Sequence, residues 1–144
     1  MDKHILLVNS SLQARQSIKD VLCSAGYNKI TEADSGSSAI KVLRREPIDT
    51  LISDIELNEL DGWRLARMVR SDIFCCERGI PIILVAQTWC ERIAETTARE
   101  YGINHVLAFE HKEKLPKILE GMNNDMGHMF RMPRILVIED NPEA

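Results

Sequence analysis

The sequence predicts an α/β fold: a doubly wound, five-stranded parallel sheet in the strand order 2-1-3-4-5, with helices on both faces. Three observations carry this. Short, continuously apolar runs recur along the chain, as strands covered on both faces require. Segments with apolar residues at helical spacing separate those runs. Alternation of the two imposes right-handed crossovers, hence parallel neighbours and two helical layers.

The elements follow in order. Ile5-Leu6-Leu7-Val8 is the first strand. Ile18, Val21, Leu22 and Ala25 recur at helical spacing, and Gly26 stops that helix. Ile30-Thr31-Glu32-Ala33 reads as the second strand. Ala39, Val42 and Leu43 mark the second helix, which Pro47 ends. Thr50-Leu51-Ile52-Ser53 is the third strand, and Asp61 caps a third helix from Gly62 to Arg70. The most apolar run, from Ile80 to Ala86, is a central strand with Pro81 at its start, where a missing N–H is tolerated. Ala94, Ala98 and Tyr101 give a fourth helix that Gly102 terminates. His105-Val106-Leu107-Ala108 is the fifth strand. Leu115, Ile118, Leu119 and Met122 give the last helix, with Pro116 in its first turn.

Composition narrows the function classes. A chain of 144 residues with 44% hydrophobic content can bury one ordinary core. The net charge is −4 and no basic cluster exceeds a few residues, which argues against a nucleic-acid or membrane surface. No apolar run approaches the ~20 residues of a membrane span, and the N-terminus lacks signal-peptide architecture. A cytoplasmic protein is expected. Cys23, Cys75, Cys76 and Cys90 contain no C-x-x-C pair, so they read as reduced thiols rather than a zinc site. The four histidines are scattered and read as surface or structural residues. No Gly-rich P-loop or Ser-His-Asp set points to an enzyme of another kind.

In sheets of this topology the working site lies beyond the carboxyl ends of the strands. That rule gathers Asn9 and Ser10, Asp54, Ala86 and Phe109 at one corner. Asp54 ends an apolar run, and Asp61-Gly62 opens an amphipathic segment seven residues later. This stretch, from Leu51 to Trp63, resembles the phosphoacceptor region of response-regulator receiver domains. Glu32-Ala33-Asp34-Ser35-Gly36-Ser37-Ser38-Ala39 is similar to the family's second strand and the turn after it. The strand–helix rhythm agrees from about His4 to Met122. The resemblance implies a flavodoxin-like fold and a role in two-component phosphorelay signalling. It implies Asp54 as the phosphoacceptor, and a magnesium ion held by that residue with an acidic pair after the first strand.

The chain departs from the family at the helpers. The acidic pair falls on Asn9 and Ser10. The hydroxyl residue that contacts phosphoryl oxygens falls on Ala86, and the lysine ending strand five falls on Phe109, whose apolar bulk is expected to close the pocket. A hard cation wants several oxygens with carboxylates among them, so Asp54 alone should hold magnesium weakly and no cofactor is expected. Each change removes cation, counter-charge or transition-state stabilisation, and a single preorganised group is typically worth ~100-fold or more in rate. The expectation is therefore a regulatory, protein-binding module with a degenerate site, not an enzyme. Its partners would be a histidine kinase or other domains of the same signalling protein, with a homodimer also open. Two alternatives stand beside it: a working receiver phosphorylated on Asp54, and a flavodoxin-like flavin-binding domain using the hydroxyls of Asn9-Ser10-Ser11.

The organisation read from the sequence has three parts: a receiver-like domain over 1–122, a polar linker over 123–133, and residues 134–144. That last stretch, Arg134-Ile135-Leu136-Val137-Ile138-Glu139-Asp140-Asn141 and its continuation, repeats the pattern of the first strand. It reads as the first strand of a truncated second receiver domain, with Glu139 and Asp140 as an intact acidic pair.

Overall fold

The computed structural model describes residues 3–57, 60–71, 79–86 and 102–121. Within them five strands form one parallel sheet in the order β2-β1-β3-β4-β5. The strands are β1 (Ile5–Val8), β2 (Ile30–Ala33), β3 (Thr50–Asp54), β4 (Ile82–Ala86) and β5 (His105–Ala108). The helices described are α1 (Leu12–Ser24), α2 (Gly36–Arg45) and α3 (Gly62–Arg70). A 3-10 segment, Phe109–Lys114, leads into helical turns over 115–121. The fourth helix expected around Ala94 to Tyr101, Trp89, three of the cysteines and everything from 122 onward lie outside the described residues. The linker and second-receiver readings fall there too.

The three helices start on side-chain caps. Ser11 Oγ accepts from the Ala14 amide at 3.2 Å, Ser35 Oγ from Ser38 at 3.1 Å, and Asp61 Oδ1 from Arg64 at 2.8 Å. The reading placed α3 at its observed bounds. The third strand runs one residue further than expected, so Asp54 is its last paired residue, opposite Val85. The fourth strand begins at Ile82 rather than Ile80. Pro81 precedes it and still accepts the Leu51 amide through its carbonyl at 3.0 Å.

The sheet separates two cores. On one face Leu6, Val8, Leu51 and Leu84 pack with Leu43 of α2 and Leu65 and Val69 of α3. On the other, Ile5, Leu7, Ile52, Ile83 and Val85 pack with Ile18 and Leu22 of α1 and Leu115 and Leu119 of the C-terminal turns. Trp63 is partly buried against the first core, as a packing residue should be.

β1 is fully buried on both faces. Its apolar run therefore carries no alternation to fix its register, because a one-residue slip would still bury apolar side chains. The polar residues at its two ends supply that information: His4 before the strand and Asn9 after it, both buried.

Candidate functional site

At the carboxyl end of the sheet, a cleft of about 680 Å³ opens between the β1–α1 turn and the loop after β3. Asn9, Ser10, Asp54 and Phe109 line it together with Gln13, Ser17, Glu56 and Leu57. Four of the five positions singled out in the sequence thus meet at one place. Ala86 does not: it sits 3% exposed at the end of β4, paired with Ala108 and outside the lining.

Asp54 is placed by three local features. β3 pairs with β1 and β4 along its length. The Ile55 amide donates to Asp54 Oδ1 at 2.8 Å. Gly62 donates its amide to the Ile55 carbonyl at 2.8 Å, and a Cβ there would collide with the Asp54 carbonyl oxygen. Only glycine lets α3 start this close to the acid. Asp54 is 6% exposed. Burial pushes its pKa above the ordinary carboxylate value, and the Glu56 carboxylate adds to the rise; backbone N–H groups of Ile55 and Glu56 hold it down.

Asn9 extends β1 beside Asp54, one step past the pairing of Val8 with Ser53. It is 1% exposed. Its Oδ1 accepts from the Ser11 amide at 2.9 Å, and its carbonyl accepts from Arg15 Nη1 at 2.8 Å. Among the described residues its Nδ2 has no hydrogen-bond partner. Arg15 also donates to Glu32 at 3.0 Å, and Lys19 does the same at 3.0 Å. The Lys19 hydrogen bond, with Arg15 behind it, holds the Glu32 carboxyl below its ordinary value, against the effect of its burial. Ser10 is exposed. Among the described residues no three His, Cys, Asp or Glu side chains cluster as a metal-ligand set.

Phe109 differs from expectation. It forms one wall of the cleft and leaves it open, because the chain turns into the 3-10 segment immediately after β5. The ammonium of Lys112 lies 4.5 Å from its ring centroid, a cation–π contact. The 3-10 turn carries Lys112 onto the ring, a contact that the residues alone did not reveal. Glu56, Gln13 and Ser17 were also missed. Gln13 and Ser17 are four apart on α1, and that spacing was the available signal for one helix face turned to the cleft.

A parallel 2-1-3-4-5 sheet with an acid at the end of its third strand defines the class to which comparison points. The chain matches the response regulator receiver domain over residues 5–120, and it belongs to that family. It is 32% identical over 127 residues to the chemotaxis protein CheY of Pseudomonas aeruginosa, covering 83% of this chain and 98% of that one. It is 30% identical over 122 residues to chemotaxis protein CheY-3 of Vibrio cholerae, covering 81% and 91%. Among solved structures, the signal receiver domain of an HD-domain protein from Pseudomonas fluorescens shares the fold at a TM-score of 0.75 and 19% identity, over 89% of this chain and 99% of that one. The receiver domain of a sensor histidine kinase from Pseudomonas aeruginosa aligns at a TM-score of 0.65 and 25% identity, over 81% and 96%, and that protein holds a magnesium ion in its active-site cleft. The chain is thus a receiver domain of two-component signalling. No helix among the described residues is long and apolar enough to cross a membrane.

Proposed function

We propose that this receiver domain works as a regulatory protein-interaction module and accepts phosphoryl groups poorly at Asp54. The observation that carries the reading is Asn9. A family magnesium ion needs carboxylate oxygens from the end of β1. Here the one oxygen of that side chain is held by the Ser11 amide, and its other end is an N–H donor, which opposes a cation. Among the described residues that line the cleft, Asp54 and Glu56 are the carboxylates that remain, too few to complete the oxygen set, and those residues do not fit the ion. The counter-charge is missing as well: Phe109 stands on the wall where the family has lysine, and Lys112 is engaged on its ring. Attack by the Asp54 carboxylate on a phosphoryl donor would bring two anions together with little to neutralise them.

The module's partners in this reading are a histidine kinase or other domains of the same signalling protein. Nucleic acid and membrane are not among them, and the domain has no enzymatic activity of its own. In this reading Glu139 and Asp140, in a segment that repeats the sequence pattern of the first strand, supply the acids that Asn9 and Ser10 lack. The setting is cytoplasmic. One observation favours a working acceptor instead: Asp54 keeps its place at the end of β3 on the wall of an open cleft. Incubation with acetyl phosphate and magnesium, read by intact mass, separates the two. No adduct is expected. A stoichiometric phosphoryl adduct that disappears in Asp54→Asn would establish the working acceptor.

A further inference from the structure

The β1–α1 corner of the cleft presents donors where the family presents acceptors. The assignment of the Asn9 amide is fixed by its neighbour: only the oxygen can accept the Ser11 N–H, so the nitrogen end is the one left without a partner. A buried N–H of this kind is costly to leave unmet, and native interiors pair nearly all of them. Beside it starts α1, a helix of 13 residues with no acidic residue in its first turn. Ser11 Oγ takes the Ala14 amide, so the amides of Leu12 and Gln13 face outward from the helix start with no intrahelical acceptor. Helix-end amides and the macrodipole favour negative charge there. The guanidinium of Arg15, bonded to the Asn9 carbonyl, adds positive charge behind the same turn.

We propose that this corner is a reversible binding site for a small oxyanion, with Asn9 Nδ2 and the amides of Leu12 and Gln13 as its donors. The ligand class is a free phosphate or carboxylate group, held non-covalently. No bond to Asp54 is made and no metal is required. The inference goes beyond the receiver reading but shares its key residue: replacing carboxylate by amide at position 9 inverts the charge preference of the corner, from cation to anion. Asp54, beside Asn9, and Glu56 line the same cleft and set the limit on affinity. Ser10 stands at the rim, where its hydroxyl can turn to the ligand.

The test is titration of the full chain with inorganic phosphate, followed by amide chemical shifts, with sodium chloride at matched ionic strength as control and sodium acetate as a second arm. Saturable shifts of the Leu12 and Gln13 amides and the Asn9 side-chain NH₂ are expected with phosphate, acetate or both; absence with both overturns the proposal, as does an equal response to chloride. Asn9→Asp and the nearly isosteric Asn9→Leu should each weaken the binding roughly tenfold or more, since each removes a donor to a charged group. Retention of affinity in Asn9→Leu would show that Nδ2 is not a donor to the ion and would overturn the assignment. The acetyl-phosphate experiment reports separately on Asp54: an adduct there would reject the degenerate-receiver reading while leaving the phosphate result unaffected.

Discussion

The two ends of β1 each carry a buried polar side chain, and the two are satisfied to different degrees. At the amino end, the His4 ring makes Nδ1–Pro47 carbonyl and Nε2–Thr31 Oγ1 contacts of 3.1 and 2.7 Å. Its amide donates to Asp49 Oδ2 at 2.9 Å, and its carbonyl accepts from Asp49 and Thr50 at 2.9 and 3.3 Å. Every polar group of that residue has a partner. At the carboxyl end, Asn9 uses its oxygen and leaves its nitrogen unpaired beside a desolvated acid. One end is tied fully into the fold, and the other keeps hydrogen-bonding capacity that the described residues do not use. A single strand reports both, because its apolar middle is neutral about register and its ends are not.

Substitutions at the two ends should therefore differ in cost. The largest effect is expected for His4→Ala, which opens a cavity and leaves Thr31 Oγ1 and the Pro47 carbonyl short of partners. A loss of about 2–4 kcal/mol, read by urea denaturation, is the expected outcome. At the other end Asn9→Leu should cost no more than about 1 kcal/mol, because it removes an unmet donor along with one made bond. Equal losses at the two ends would erase the distinction. Gly62→Ala should fall between them, at about 1–3 kcal/mol, since its Cβ meets the Asp54 carbonyl and the start of α3 must shift. Arg15→Ala, which releases both the Asn9 carbonyl and Glu32, should cost about 1 kcal/mol.

A pH experiment sharpens the same contrast. The folded-state pKa of Asp54 is raised above its unfolded value, so folding favours the protonated carboxyl. Its contribution to stability is full below the unfolded carboxylate pKa and is lost as pH rises through the folded one. Asp54→Asn should therefore raise the urea midpoint at neutral pH and remove that part of the pH slope. Glu32 has the opposite sign: its pKa is lowered, so its contribution is present above the unfolded value and is lost as pH falls through the folded one.

Much of this was legible in the residues. Continuous apolar runs located the five strands, and Asp61 with Gly62 placed the start of α3, because those signals are local. The meeting of Asn9, Ser10, Asp54 and Phe109 followed from topology alone. Three things were not legible. Ala86 lies off the cleft, which depends on how the ends of β4 and β5 pair. Phe109 lines the cleft without closing it, which depends on the 3-10 turn after it. The orphaned nitrogen of Asn9 depends on a turn closed by Ser11, a contact two residues away that composition and periodicity do not encode.

With Asn9 in place of an acid, the β1 corner cannot help Asp54 hold a divalent cation. The decisive experiment is magnesium titration of the full chain, monitored through the amides of Ile55 and Glu56 in parent, Asn9→Asp and Asp54→Asn. The parent should bind more weakly than about 1 mM, and Asn9→Asp should bind more tightly than the parent. Micromolar binding by the parent, lost in Asp54→Asn, would contradict it.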